Sequence, residues 1–365
     1  MGVAPVVPFT TRDQLLEAQL GAPTFVRQSY SPGPNRALPW LDTRADLTRR
    51  SRAWRAALES SGVSQSDRIL HALPSESAVA QDCWSASLEL GARSLATQQP
   101  SLEAVLQFAP TVLVSTPTDV LRLAQAAAER QIELAEGPLF LVVVTGEPGG
   151  SIGIIRRRIE EQFGARCLDV YQLIEAGVVG WGCSGAGTGL HLNADEFTIE
   201  SIEPNCDRPV GDGQLGELVI TSRTERGTPL VRYRTGDLAQ ISHGMCACGS
   251  TSVRAEGGVR GRLSERLLVR GVDLLPTTIG QIVRRHPAVV EYRVKVYQVR
   301  GECEVGVQIE LNGAVASEGD LARVTTEVGE DLRRSLGLRL HVEAAPPGSL
   351  NDQDAGRRAR RLSRQ

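Results

Sequence analysis

The residues of this chain best suited to chemistry are its sulfurs and its cations. Cys246-Ala-Cys248-Gly249 puts two soft ligands on a glycine-supported turn. A spacing of one residue is tighter than the usual zinc-knuckle spacing, so the pair alone reads equally as free thiols in a turn. Cysteines stand at 83, 167, 183, 206, 246, 248 and 303. An odd number, with no basic start or long apolar stretch in the first eight residues, predicts no signal peptide, a reducing compartment and a cytoplasmic protein. Cys83, Cys167, Cys206 and Cys303 stand singly and read as packing residues. Among 40 basic residues only Lys295 is a lysine, in a Val-Lys-Val strand pattern that suits no catalytic role. A GC-rich genome that drifts Lys to Arg explains the surface positions, but a required lysine would survive such drift.

These residues need a scaffold, and the chain is long enough to build one. Its 365 residues predict two to three domains, and 41% hydrophobic content supplies a core. A net charge of −3 and 4% aromatics argue against nucleic-acid binding, which calls for a basic face and stacking rings. The longest apolar runs, such as Leu139 to Val144, fall far short of the ~18 residues of a membrane span.

From Arg68 to Val170 short apolar runs alternate with helical stretches. Strands are predicted at Arg68–Leu73, Thr111–Ser115, Leu139–Thr145 and Cys167–Tyr171. Helices are predicted at Ala78–Leu90, Asp119–Gln131 and Ser151–Phe163. Continuous apolar strands alternating with helices imply a parallel sheet covered on both faces. Ligands of such sheets bind beyond the carboxyl ends of the strands, which draws attention to the loops after Thr145 and Tyr171. From Leu190 the texture changes to short strands and turns, with Gly216–Thr221 the clearest strand. Glu256-Gly-Gly-Val-Arg-Gly261 reads as a linker. Beyond it lie strand Leu267–Val269, helix Thr277–Arg285, strands Tyr292–Val299 and Glu304–Leu311, helix Asp320–Leu336 and strand Leu338–Val342. The tail from Pro346 reads as a flexible, solvated basic segment.

Three motifs then act as a set: Asp169-Val-Tyr-Gln-Leu-Ile-Glu175, Val231-Arg-Tyr-Arg-Thr-Gly-Asp237 and Gly261-Arg-Leu-Ser-Glu-Arg-Leu-Leu-Val-Arg-Gly-Val272. Through these, together with Gly216–Thr221 and Pro8-Phe-Thr-Thr-Arg-Asp-Gln-Leu15, the chain resembles the phenylacetate–coenzyme A ligase branch of the adenylate-forming superfamily. The resemblance implies an α/β fold: a large N-terminal domain with parallel or mixed sheets flanked by helices, and a small mobile C-terminal α+β domain. Residues 1–258 would form the first and 259–365 the second. It also implies a two-step reaction, in which a carboxylate attacks ATP to give an acyl-adenylate and a thiol then displaces AMP. The cofactors implied are ATP or AMP with Mg²⁺, and coenzyme A or phosphopantetheine. The implied partners are a small carboxylic acid or its thioester, an acyl carrier protein and a second copy in a homodimer, with neither nucleic acid nor membrane.

Residue by residue, Asp237 matches the ribose-binding acid, with a turn-capping Asp as the plainer reading. Glu175 matches the acid on the Mg²⁺ and phosphate side, with a helix-start carboxylate as its alternative. Ile174 stands where the family has a small or hydroxylated residue. Tyr171 and Gly146-Glu147-Pro148 match positions beside adenine. Arg262 matches the linker arginine, Ser264 and Glu265 the hinge, and Arg270-Gly271 the loop of the thiol tunnel. Cys183 and His191 resemble a segment that joins Cys246 and Cys248 in some members, giving a Cys₃His set suited to structural zinc, with His243 as rival for the fourth place.

Two departures touch the chemistry. The phosphate loop is replaced by Ser29-Tyr-Ser-Pro-Gly-Pro-Asn-Arg-Ala-Leu-Pro39. Pro32 and Pro34 lack the amide N–H groups that such a loop points at phosphate oxygens. The C-terminal Gly-Lys is replaced by Gly356-Arg-Arg-Ala-Arg, leaving Arg358 or Arg357 as replacement cation, although a planar fork is a poor stand-in for an ammonium. In the pocket region Ser75, Glu76 and Ser77 suggest a polar floor, and Trp84 a surface to stack on a ring. The expected activity is therefore an acid–thiol ligase. The alternatives are an ATP-independent acyl transferase or amide-forming enzyme, or a non-catalytic binding partner.

Overall fold

The computed structural model describes residues 7–19, 24–31, 37–183, 189–299, 302–312, 318–350 and 362–364. Helix α1 (Arg12–Gln19) precedes a hairpin of β1 (Arg27–Ser31) and β2 (Leu38–Asp42), and α2 (Arg44–Ser60) follows. Thr43 starts α2 through a capping box with Asp46, which satisfies two backbone amides at once. Then come β3 (Arg68–Ala72), α3 (Ala78–Leu90), β4 (Arg93–Thr97), α4 (Leu102–Phe108), β5 (Val112–Ser115), α5 (Pro117–Glu129), β6 (Leu141–Thr145), α6 (Gly153–Phe163) and β7 (Arg166–Leu173). Ser77 and Thr116 cap α3 and α5 with their side-chain oxygens, and Gly91 ends α3 in the left-handed region.

Strands β3, β5, β6 and β7 pair in parallel, as the apolar runs predict, and β4, which no run marks, pairs in parallel with β3 at the edge. All residues of β5 and β6 are buried, because helices cover both faces. The sheet does not stop there. β8 (Gly177–Gly182), β9 (Gly189–Leu192), β10 (Phe197–Ile202), β11 (Leu215–Ser222), β12 (Tyr233–Ser242) and β13 (Arg254–Arg262) extend it in antiparallel fashion to eleven strands, making it mixed. The run read as a linker is most of β13. Gly257 and Gly258 take φ of 64° and 73°, and the β12–β13 register shifts nearby, so the glycines serve bulges. A Cβ on Gly258 would lie 2.5 Å from that of Ser151, which gives the residue a packing reason too. The expected boundary between 258 and 259 falls inside this strand.

Past Leu263–Glu265, β14 (Leu267–Val269) and β15 (Val272–Leu274) form a hairpin. Helix α7 (Pro276–Val283), β16 (Val289–Val299), β17 (Glu302–Leu311), α8 (Glu318–Leu336), β18 (His341–Ala345) and β19 (Leu362–Arg364) complete a small unit around a four-stranded sheet. It has a hydrophobic core of its own, built from residues such as Ile279, Val294, Ile309 and Val328. Strand β18 begins three residues later than its apolar pattern suggests.

Candidate active site

Strand β7 ends beside β12 and β13, and three of their side chains interlock. Tyr171 Oη donates to Asp237 Oδ2 at 2.8 Å, and Arg262 Nε lies 3.2 Å from Asp237 Oδ1. Register explains the second contact, since Asp237 and Arg262 are directly paired across β12 and β13. Asp237 is 3% exposed, and its backbone N–H donates to Thr235 Oγ1 at 3.1 Å. Burial and the neighbouring carboxylate push the Tyr171 phenol well up, so it stays a donor. Asp237 also holds the Arg262 guanidinium above its ordinary range. A carboxylate so placed accepts charge-assisted hydrogen bonds, the chemistry a vicinal diol supplies.

Glu175 sits in the turn between β7 and β8, 4% exposed, with Arg12 Nε at 3.9 Å from Oε1. Arg12 also donates to the carbonyl of Ser31, where the proline-bearing segment begins. Pro32 to Arg36 lie outside the described residues, as do Arg357 and Arg358, so the structure places neither the loop nor its replacement cation. The sequence assigned no role to Arg12, although it lies within Pro8–Leu15. A cation adjoining both Ser31 and Glu175 is the signal that the fold adds.

The remaining residues divide. Gly146 turns the chain after β6 with φ 87°, and Glu147 Oε1 accepts the backbone N–H of Thr118 in the first turn of α5 at 2.8 Å. Glu147 therefore anchors this loop to a helix N-terminus. Arg270 and Gly271 form the tip of the β14–β15 hairpin in the small unit, with Arg270 paired to Glu304 at 2.8 Å. Ser264 and Glu265 lie in the short helical turn between the two units. The arginines flanking Tyr233 are structural: Arg232 pairs with Glu200 and Arg234 with Glu217, and both lie over the Phe9 ring. Trp84 packs edge-on against His71, with ring centres 5.2 Å apart.

A second cluster stands away from these residues. Cys183 follows β8, His191 lies on β9, and Cys246 and Cys248 lie in the β12–β13 turn. Their ligand atoms all fall within 4.8 Å of one another. Cys183 and Cys246 sulfurs are 3.7 Å apart, and Cys248 Sγ is 3.4 Å from His191 Nε2. Tetrahedral zinc with ordinary bond lengths needs about 3.8 Å and about 3.5 Å for these edges. His243 instead pairs with Asp212 at 2.8 Å, and His191 is the histidine that stands with the three cysteines.

Comparison with known proteins follows this geometry. Residues 271–363 match the AMP-binding enzyme C-terminal domain family. A phenylacetate-coenzyme A ligase of Thermus thermophilus is 28% identical over 277 residues, covering 71% of this chain and 61% of that protein. Its counterpart in Pseudomonas putida is 30% identical over 259 residues, covering 69% and 57%. The chain thus spans about three fifths of the length of these relatives. A crystal structure of a 2-hydroxyisobutyryl-CoA ligase in its postadenylation state shares the fold with a TM-score of 0.87 at 23% identity, over 98% of this chain and 80% of that one. No helix among the described residues is long and apolar enough to cross a membrane. By its motifs, its fold and these relatives, the chain belongs to the adenylate-forming superfamily, on the phenylacetate–CoA ligase-like branch.

Proposed function

We propose that the protein is an acid–thiol ligase that activates a small carboxylic acid, aromatic by analogy with its relatives, as an acyl-adenylate and passes it to a thiol. The observation that carries this reading is the cluster of half-buried Tyr171 and Arg262 around buried Asp237 near the end of β7, with Glu175 in the adjoining turn and Arg12 of α1 beside it. Asp237 would take the ribose hydroxyls and Tyr171 the adenine side, with the loop of Gly146 and Glu147 alongside. Glu175, a single buried carboxylate, suits Mg²⁺, which keeps most of its waters and takes one or two carboxylates beside the substrate phosphates. Arg12 faces the same end as a cation, and Arg358 is the proposed cation of the tail. The thiol would be coenzyme A or a carrier-protein phosphopantetheine, entering by Arg270 and Gly271. The unit from 259 onward would swing about Ser264 and Glu265 between the two half-reactions. A cytoplasmic site of action fits the odd cysteine count, and a homodimer is compatible with the reading.

The specific observation favouring a second reading is the sequence of the segment replacing the phosphate loop, with Pro32 and Pro34 and no lysine. An ATP-independent acyl transferase or amide-forming enzyme would need the thioester and acyl sites alone. ATP–pyrophosphate exchange with a panel of acids decides between them. Because losing one preorganised donor costs about 10²–10³ in rate, measurable but slow exchange is expected. Undetectable exchange with turnover of acyl-CoA onto an amine or carrier would transfer the assignment to the second reading.

The Cys183, His191, Cys246 and Cys248 set is proposed to hold one structural zinc, since three thiolates and an imidazole leave no open ligand position. Among the described residues His191 Nδ1 is buried without a hydrogen-bond partner, and Arg254 and Glu256 line the small cavity around the set. Metal analysis should find close to one zinc per chain. Cys246→Ser with Cys248→Ser should remove it and lower the melting temperature, because structural zinc contributes to folding directly. Full metal retention in that double variant would refute the site.

A further inference from the structure

Arg50 lies on α2, outside every motif that marks the site, and is 3% exposed. Its guanidinium reaches three separate elements. Nε and Nη2 meet Asp42 Oδ1 at 3.0 and 2.9 Å, Nη1 lies 3.5 Å from Asp82 Oδ2, and Nη2 donates to the carbonyl of Ile174. Asp42 is the last residue of β2, the strand that leaves the proline-bearing segment. Ile174 is the residue immediately before Glu175. One buried side chain thus touches both the hairpin that carries the phosphate-loop segment and the turn that carries the carboxylate opposite it.

The surroundings fix that contact from both ends. On the hairpin side, Arg27 of β1 pairs with Asp42 at 2.8 Å and with Asp82 at 2.7 Å, and Trp40 Nε1 donates to Asp42 at 3.2 Å. On the strand side, Gln172 donates to Asp82 at 2.8 Å and accepts from Trp54 Nε1 at 2.5 Å. The turn itself is held again on its far side, where Arg226 donates to the carbonyl of Ala176 at 2.8 Å. The two peptide carbonyls flanking Glu175 are therefore each bound by a buried arginine. At Gly177, with φ 79°, a Cβ would stand 3.1 Å from Arg50 Cγ, so the chain passes directly over this side chain.

Two arginines and two aspartates in the interior are not explained by stability alone. The desolvation of buried ion pairs offsets much of their attraction, and apolar replacements of equal shape are often as stable. What such a network supplies is direction, since a planar five-donor fork can serve a carboxylate and a carbonyl at fixed angles where a methyl group or an ammonium cannot.

We propose that Arg50 is a positioning residue that couples the β1–β2 hairpin to the Glu175 turn, so that the two halves of the phosphate end of the site hold one spacing. The proposal rests on the adenylation reading for its effect on MgATP but not for the coupling itself. Arg50 touches neither Tyr171 nor Asp237 through any of these bonds, so its influence should be confined to the phosphate end.

The test uses the full chain and its Arg50→Met, Arg50→Lys and Arg226→Met variants. Hydrogen–deuterium exchange is followed in peptides from the hairpin, from the Leu173–Gly177 turn and from β12, beside calorimetric titration with AMP and with MgATP. In Arg50→Met, exchange should rise in hairpin and turn together and not in β12. MgATP should bind about 10–100-fold more weakly while AMP stays within about twofold, the usual scale for losing a residue that orients a ligand-holding carboxylate. Arg226→Met should loosen the turn without the hairpin. Arg50→Lys keeps the charge and covers the case in which the Met variant fails to fold. It should retain protection of the hairpin and lose that of the turn. Exchange that rises in the hairpin alone, exchange that rises evenly over the chain, or equal weakening of AMP and MgATP would overturn the proposal. Should the wild-type chain bind neither nucleotide, the adenylation reading falls, and the exchange pattern still decides the role of Arg50.

Discussion

The proposed nucleoside end and the proposed phosphate end of this site are built on different principles. At the nucleoside end a carboxylate, a phenol and a guanidinium meet directly, and neighbouring strands in register hold two of the three. At the proposed phosphate end Pro32 and Pro34 stand where the family resemblance implies a loop of amide donors. The geometry there depends on Arg12, Arg50 and Arg226, which reach Glu175 and the two carbonyls flanking it. Strand pairing holds Asp237, the proposed ribose acid, against Arg262. A phosphate cradle made of loop amides has no such support, and two prolines remove amide donors outright. The difference teaches which end of the proposed site is more open to loss by substitution: the one carried by a loop rather than the one carried by a sheet.

The largest expected effect breaks the nucleoside end. Asp237→Ala should abolish measurable AMP binding. Two charge-assisted hydrogen bonds of about 1.5–3 kcal/mol each are lost, which is at least about 100-fold in affinity. Circular dichroism should remain that of the folded chain. Unchanged AMP affinity by calorimetry would show that the ribose site is elsewhere or unused. A smaller effect is expected at the other end. Arg12→Ala removes the cation beside Glu175 and Ser31, and MgATP should weaken by about 10–100-fold with AMP affected less. Equal losses for the two ligands would erase the distinction between the ends. No loss for either would leave the phosphate end without a described cation.

Legibility in the sequence follows the same division. Thr111–Ser115 and Leu139–Thr145 announce parallel strands because helices cover both faces, and an unbroken apolar run is the direct result. Strand β4 is absent from that reading for the opposite reason. It is the edge of the sheet, three of its five residues are exposed, and Arg93-Ser-Leu-Ala-Thr97 carries no run. The glycines of β13 resemble a linker since bulges and linkers draw on the same residue. Tyr171, Asp237 and Arg262 were legible through the resemblance, and the structure adds that Asp237 and Arg262 face each other across paired strands while Tyr171 reaches Asp237 from β7. Cys183 and His191 were legible only through the resemblance, as nothing in their spacing points to the cysteines more than fifty residues on. Arg50, Asp82 and Gln172 were not legible at all. On a helix, a charged residue such as Arg50 between polar neighbours looks solvated, and only the packing of α2 against α3 and β8 turns it inward.

The smallest effect sharpens the comparison through pH. His71 on β3 packs against Trp84 of α3, the helix that also carries Asp82. Burial pulls its imidazole down to about 4 from an ordinary 6.5, and neither ring nitrogen has a hydrogen-bond partner among the described residues. Asp169 on β7, two residues before Tyr171, accepts the backbone N–H of Ser151 at 2.8 Å. Burial pushes its carboxyl up to about 6 from 3.8. The two act with opposite sign. The depressed His71 contributes stability above its unfolded value that is lost as pH falls from 6.5 towards 4. The raised Asp169 contributes stability below 3.8 that is lost as pH rises through about 6. Each shift corresponds to about 3 kcal/mol, so between pH 6 and 4 they largely cancel, and wild-type stability should vary little from these two groups. Removing one exposes the other. In urea titrations, His71→Leu should make the chain gain stability on acidification from pH 6.5 to 4, whereas Asp169→Asn should make it lose stability over the same range. Both variants following the wild-type profile would show that neither group is buried as the fold has it. Exchange measured at pH 5 on the wild-type chain should show β3 and α3 opening before β7, because opening lets the neutral, buried His71 take up a proton, whereas opening around Asp169 releases one.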